Sequence, residues 1–325
     1  MIKAGIVGSS GYVAGELLRS LIHHPEVDID FLYSHSQPGL EAGEIHQDLM
    51  HLENLTFTNV INEQVDVVFL CLGHGNSTKF LKAHSFSSQT KIIDLSNDFR
   101  LKNDVTLEEK DFVYGLTELN RGAIKTAQYI ANPGCFATAI QLALLPLAAK
   151  QQLNDDVHIH AITGSTGAGQ GLSATSQFSW RNNNVSIYKA FDHQHLGEIG
   201  ESIVSLQPKF SHEVNFLPVR GNFTRGIFAS VYMTTDLSET QLQDLYEDYY
   251  QDAPFTHISK NTVHLKQVVN TNLCYLQVQK IDGKVLITSV IDNLVKGAAG
   301  QAIENMNLMF GLDQKSGLTL KASFF

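Results

Sequence analysis

The chain has 325 residues, 43% of them hydrophobic and 17% charged, and its 33 acidic side chains against 23 basic ones give a net charge of −10. That size and balance describe a folded globular protein with room for two domains rather than a disordered chain, and the acidity argues against a nucleic-acid partner. No apolar run reaches the length of a membrane span, and the opening Met1-Ile2-Lys3-Ala4-Gly5-Ile6-Val7-Gly8 reads as a buried strand rather than a signal peptide, so a cytoplasmic protein without a membrane partner is expected.

In chain order, short apolar runs at 2–7, 27–33, 65–72 and 91–95 alternate with amphipathic helices, the first over 15–24 and stopped by Pro25. This is the βαβ rhythm of a parallel, doubly wound sheet. Asn132-Pro133-Gly134-Cys135-Phe136 then leads into an apolar helix over 135–148. Beyond residue 150 the texture changes. Strands are predicted at 157–163 and 227–234, a capping box of Ser238 and Gln241 opens a helix over 239–252, and Asp282-Gly283 turns a hairpin between 273–279 and 284–291. The fold class is therefore α/β: a Rossmann-type doubly wound parallel sheet plus an α+β domain with a mostly antiparallel sheet. No repeat or Pro/Gly-rich linker interrupts the chain.

Two segments carry chemistry. Gly8-Ser9-Ser10-Gly11-Tyr12-Val13-Ala14-Gly15 stands between the first strand and first helix, where a glycine-rich turn lets a pyrophosphate approach backbone N–H groups at a helix N-terminus. The second strand is followed by Ser34-His35-Ser36-Gln37, without the acid that an NAD enzyme offers to the ribose hydroxyls, so NADP(H) is the expected cofactor, with Ser34 and Ser36 near its 2′-phosphate. Cys135 enters its helix after the rigid Pro133-Gly134 turn, and the unpaired N–H groups and dipole of the helix start favour its thiolate. A small buried hydrophobe is the alternative reading of Cys135. Cys71 and Cys274 lie in strand-like runs and read as structural.

Beyond these, Ile93-Asp94-Leu95-Ser96-Asn97-Asp98-Phe99-Arg100-Leu101, Tyr114-Gly115-Leu116-Thr117-Glu118-Leu119, Gly164-Ser165-Thr166-Gly167-Ala168-Gly169, His193-Gln194-His195-Leu196-Gly197-Glu198-Ile199 and Asp292-Asn293-Leu294-Val295-Lys296-Gly297-Ala298-Ala299-Gly300-Gln301 complete seven ordered blocks. Together they resemble the N-acetyl-γ-glutamyl-phosphate reductase family, of the aspartate-semialdehyde dehydrogenase superfamily. The resemblance implies a Rossmann domain of 1–134 and 296–325, an inserted catalytic and dimerisation domain of 135–295, a homodimer or homotetramer, and a place in arginine biosynthesis.

It also implies the mechanism. Cys135 attacks the γ-acyl phosphate, phosphate departs, and the thioester accepts a hydride from NADPH. The acid/base is a histidine, His195 first and His193 second; on an extended segment the two would face opposite sides, so that one reaches the sulfur. Arg100 is the candidate for the substrate phosphate, its alternative an ion pair with Asp94 or Asp98. Asn132, Glu198 and Arg220 complete the candidate substrate residues, with Arg220 and Arg225 both open as holders of the α-carboxylate. Gly167, Ala168, Gly169 and Asn293 are implied at the nicotinamide end. The family's Arg between the histidines is Gln194 here, and its Pro before the Glu is Gly197.

His193-x-His195 and His158-x-His160 have a spacing that metals use, but His158 and His160 alternate in a strand-like run and the chemistry needs no ion, so no metal is expected. N-succinyl-glutamyl phosphate or a carrier-protein-linked glutamyl or aminoadipyl phosphate would use the same centre. A non-catalytic NADP-binding regulator is the alternative from another class.

Overall fold

The computed structural model describes every residue except Glu53 and Phe325. The chain divides into two compact units, Met1–Pro133 with Ala298–Thr319, and Gly134–Gly297 joined by residues 320–324. Residues 320–324 thus associate with the second unit, whereas the resemblance implied all of 296–325 with the first.

The first unit carries β1 (Ile2–Val7), α1 (Tyr12–Leu21), β2 (Val27–Tyr33), α2 (Ala42–Ile45), β3 (Phe57–Thr58), β4 (Val67–Leu70), α3 (Asn76–Ala83), β5 (Lys91–Asp94), β6 (Thr106–Leu107), β7 (Lys110–Tyr114), α4 (Thr117–Thr126) and β8 (Tyr129–Ala131). The strands form one sheet in the order β3-β2-β1-β4-β5-β8-β7-β6, parallel throughout except for the β6–β7 pair. All four residues of β4 are buried, as expected of a strand covered on both faces. Strand order reverses beside β1, with β2 on one side and β4 on the other, and such a switch point opens a ligand crevice at the carboxyl ends of the strands. Helix α1 begins three residues before the expected 15, because Gly11 takes the extended N-cap conformation and Tyr12 and Val13 are already helical.

The second unit runs through α5 (Cys135–Ala149), β9 (Val157–Thr163), α6 (Phe178–Arg181), β10 (Ser186–Ile187), α7 (His195–Leu206), β11 (Val214–Arg220), β12 (Ile227–Thr234), α8 (Glu239–Tyr250), β13 (Thr256–Ile258), β14 (Cys274–Ile281) and β15 (Lys284–Ile291). Its sheet, β10-β11-β9-β12-β15-β14-β13, is antiparallel except at β11–β9 and β13–β14. The β9–β11 parallel pair requires a crossover, which the intervening α7 segment provides. Asp282 and Gly283 both have positive φ and close the β14–β15 hairpin in the turn that the sequence predicts. The Ser238 capping box forms as well, with the Ser238 hydroxyl and the Gln241 side chain each accepting the other's backbone N–H.

Helix α5 forms the core of this unit, buried from Phe136 through Ala148. Pro146 lies inside it and lacks the N–H that would reach the Leu142 carbonyl. The Tyr250 hydroxyl of α8 donates to that carbonyl instead, and Tyr246 does the same at Ala143. The chain then passes through a π-helical turn, Val295–Ala299, into α9 (Gly300–Met309), which returns to the first unit and is buried on every side. Among the described residues no helix is long and apolar enough to cross a membrane.

Candidate active site

Cys135 is the first residue of α5 and half-buried, and the first turn of the helix holds no acid to oppose a thiolate. The residue before it must be glycine. A Cβ on Gly134 would stand 2.3 Å from His195 Nε2, so the imidazole lies flat against the backbone that presents the sulfur. Gly297 closes the other side, where a Cβ would come within 2.7 Å of Cys135 Cβ. The Gly134 N–H donates to Glu198 Oε2 at 2.9 Å, and Glu198 Oε1 lies 3.9 Å from His195 Nε2. One buried carboxylate therefore fixes both the turn and the histidine. Glu198, a candidate substrate residue, makes both contacts from a buried position.

His193 and His195 share one side of the site, their ring centroids 4.6 Å apart. This corrects the expectation of opposite faces, which assumed an extended segment: α7 begins at His195, and the helical turn brings the two rings together. His193 Nδ1 accepts the His195 backbone N–H at 3.2 Å. Burial, together with the charges of Lys189 and Arg220, depresses the His193 pKa to about 4. His193 is therefore neutral at pH 7, wedged among Phe136, Phe216 and Tyr188.

Tyr188 was not singled out by the sequence. Its ring lies under the Arg220 guanidinium at 4.6 Å, its hydroxyl bonds that guanidinium, and burial raises its pKa, with a smaller push from Cys135. A tyrosine one residue beyond a two-residue edge strand carries no local signature that could have marked it.

The structure separates the two open arginines. Arg220, at the end of β11, faces Tyr188 and His193. Arg225 instead grips the buried Asp292 with Nε at 3.1 Å and Nη2 at 3.3 Å, and Asp292 also accepts from the backbone of Asn270, Leu294 and Val295. Arg225→Leu should therefore cost about 3–5 kcal/mol by stranding a buried carboxylate, measurable as a lowered urea midpoint.

Gly167 and Ala168 lie in the 3₁₀ turn Ser165–Ala168, followed by Gly169 at φ +76. Asn293 fixes this turn, donating to Thr166 Oγ1 at 3.1 Å and accepting the Gly226 N–H at 2.7 Å. His158 and His160 sit on β9, where His158 stacks on Tyr232.

In the first unit, Arg100 is buried and donates through Nε to the Asn132 carbonyl at 2.8 Å and through Nη2 to that of Leu95 at 3.0 Å. Its charge also faces Asp94, whose pKa burial raises to about 6 against the opposing pull of Ser77, Ser96 and Arg100. The Asn132 amide donates to the Ala298 carbonyl and accepts from Asn305. Arg100 and Asn132, both candidate substrate residues, brace the turn that ends two residues before Cys135.

The β1–α1 loop suits a dinucleotide pyrophosphate. Gly8 has φ +76 and room for no side chain, since a Cβ would lie 2.7 Å from the Cys71 carbonyl oxygen. Gly11 caps α1 without a side-chain hydrogen bond, so the N–H groups of the first turn at Tyr12 and Val13 are offered outward. Ser9 and Ser34 are buried, while Ser36 is exposed.

Comparison with known proteins agrees with this architecture. Residues 3–127 match the family model described as semialdehyde dehydrogenase, NAD binding domain, and residues 135–293 match semialdehyde dehydrogenase, dimerisation domain. Aspartate semialdehyde dehydrogenase II of Vibrio cholerae superposes with a TM-score of 0.74 over 96% of this chain and 98% of its own, at 17% identity. The enzyme of Candida albicans gives 0.64 over 98% and 99%, at 14% identity. Fold and paired domains thus define a protein of the semialdehyde dehydrogenase class. Within that class, the chain is 60% identical to the N-acetyl-gamma-glutamyl-phosphate reductase of Flavobacterium johnsoniae and 57% identical to that of Christiangramia forsetii, each over the full length of both chains. It belongs to the N-acetyl-gamma-glutamyl-phosphate reductase family.

Proposed function

We propose that the protein reduces N-acetyl-L-glutamyl 5-phosphate with NADPH, giving N-acetyl-L-glutamate 5-semialdehyde and phosphate, through a thioester on Cys135. The observation that carries this reading is the thiol at the start of α5 with the imidazole of His195 laid against the glycine before it. His195 accepts the thiol proton, and the thiolate adds to the acyl carbon. The C–O bond to phosphate breaks, and the departing phosphate takes the proton that His195 held. The chemistry that bound NADPH supplies is a hydride to the thioester carbon. The thiohemiacetal then collapses, the C–S bond breaks, the aldehyde leaves, and His195 recovers a proton from solvent.

Each supporting residue has a bounded role. Glu198 holds His195 and the Gly134 N–H, and neutral His193 supports the His195 backbone. Arg220, fixed over Tyr188, is suited to the α-carboxylate of the substrate. Arg220→Leu should raise KM for the semialdehyde by about tenfold while leaving the urea midpoint near wild type, the reverse of Arg225→Leu. For the cofactor, the loop from Gly8 to Val13 would hold the pyrophosphate, and the absence of an acid after β2 favours NADP(H) over NAD(H).

A homodimer is part of the same proposal. Residues 164–191 contain no carboxylate in a chain with 33, and this stretch exposes Leu172 (93%), Phe178 (79%), Val185 (61%), Ile187 (57%) and Phe191 (61%). An apolar surface of this kind, in a stretch whose charged side chains are the cationic Arg181 and Lys189, is usually covered, and a second acidic copy meets no repulsion there. Wild type should sediment as a dimer and Phe178→Asp with Ile187→Asp as a monomer.

The deciding experiment is phosphate-dependent reduction of NADP with N-acetylglutamate 5-semialdehyde, beside the N-succinyl analogue. Activity with the acetyl compound supports the reading; activity with the succinyl compound alone moves the acyl assignment, and silence with both overturns it.

A further inference from the structure

We propose that His46 is a positioning residue for the dinucleotide, holding the cofactor loop from beneath; this rests on the NADP(H) reading above. The loop after β1 is anchored at two points. The carbonyl of Tyr33, the last residue of β2, accepts the Gly8 N–H at 3.0 Å, the Ser9 N–H at 3.1 Å and the Ser9 hydroxyl at 2.9 Å. The second anchor is His46, which follows α2, is 8% exposed, and donates through Nε2 to the Ser9 carbonyl at 2.8 Å.

The chemistry of that contact is directional. A carbonyl oxygen only accepts, so His46 carries a proton on Nε2. A backbone carbonyl free to swing towards the ligand would oppose a pyrophosphate, oxygen against oxygen. Held by His46, the Ser9 carbonyl is directed into the protein. Because Tyr33 already binds the N–H groups of Gly8 and Ser9, the pyrophosphate is left to Ser10 and the first turn of α1, and the orientation of that short stretch depends on the Ser9 peptide.

The same ring accounts for a glycine in the loop motif. A Cβ on Gly15 would lie 2.8 Å from His46 Nδ1 and 3.1 Å from its Cε1. Gly15 sits inside α1, where glycine is otherwise unfavourable, and its role is to admit the imidazole. Phe57 of β3 supports the ring from another direction, centroids 6.2 Å apart. His46 thus couples the segment after β2 to the cofactor loop, although 37 residues separate it from Ser9.

The test is the dissociation constant of NADPH on the full-length protein, read by fluorescence of the bound nucleotide without turnover. His46→Leu and His46→Asn both remove the donor from reach of Ser9, whereas His46→Gln keeps an amide N–H at similar length. NADPH should bind about five- to tenfold more weakly to the Leu and Asn variants and within about twofold of wild type to the Gln variant. The rate of Cys135 alkylation in the nucleotide-free protein should be the same in all. Should His46→Leu fail to fold, the Asn and Gln variants decide. Wild-type affinity in a folded Leu or Asn variant, or equal loss in Gln, overturns the proposal. A wild-type protein that binds NADH and not NADPH overturns the cofactor reading instead, and the same series with NADH then tests His46.

Discussion

Cys135→Ser is expected to lower turnover of the semialdehyde by on the order of 10⁴-fold or more while leaving NADPH affinity and thermal stability close to wild type. The substitution exchanges sulfur for a smaller oxygen in a half-buried position between Gly134 and Gly297, so the fold has no reason to yield. What changes is the nucleophile. In the proposed mechanism the helix start and His195 favour a thiolate, but a serine hydroxyl is far too weak an acid for the same surroundings to ionise it. The ester that serine would form is also a poorer hydride acceptor than a thioester. Steady-state kinetics check the rate, and mass spectrometry of wild type with acyl phosphate and no nucleotide should show the acyl adduct that the variant lacks. Turnover that survives the substitution would sink the thioester mechanism.

The second large effect is at the histidines, and the two should behave differently. His195→Asn is expected to reduce kcat by about 10²–10⁴-fold, the usual contribution of a positioned proton carrier, with Cys135 alkylation slowed as well. His193 has its pKa near 4 and does not change charge across the neutral range, so it cannot supply an ionisation limb there. His193→Gln should keep the neutral limb of the pH–rate profile, and loss of that limb in this variant would reverse the assignment. His193 should show itself in stability. Its folded pKa is depressed below the ordinary value near 6.5, so its contribution is complete above pH 6.5 and is lost as pH falls towards 4, where protons favour the unfolded chain. The melting temperature of wild type should therefore fall more steeply over that window than that of His193→Gln.

Local chemistry made much of this structure legible. Strands β1, β2, β9, β12 and β15 occupy the residues that alternation and flanking turns predict, and the Ser238 box and Asp282-Gly283 turn are short-range devices that act wherever they occur. The place of Cys135 at the start of α5 was legible for the same reason, since a turn followed by a helix is written in adjacent residues. Features set by distant contacts were not. No Ser, Thr, Asp or Asn precedes α7 as a cap, so nothing announced that the chain turns helical at His195 and gathers both imidazoles on one side. Arg220 and Arg225 both stand in an Arg-Gly-x-Phe sequence, and residues distant in the chain distinguish them, Tyr188 at Arg220 and Asp292, 67 residues beyond, at Arg225. The hydrogen bond that the Asn132 amide oxygen accepts comes from Asn305, 173 residues away, and nothing in the local sequence announces it.

The placement of α9 bears on how the protein is made. This wholly buried helix belongs with Met1–Pro133, yet a ribosome delivers it only after residues 134–297 of the second unit have emerged. The usual order, in which N-terminal domains finish first during synthesis, is thereby inverted. Residues 134–297 can close while the earlier sheet still waits for the helix that packs against α1 and α4. During that interval the faces of α1 and α4 that α9 covers stand open in the nascent chain.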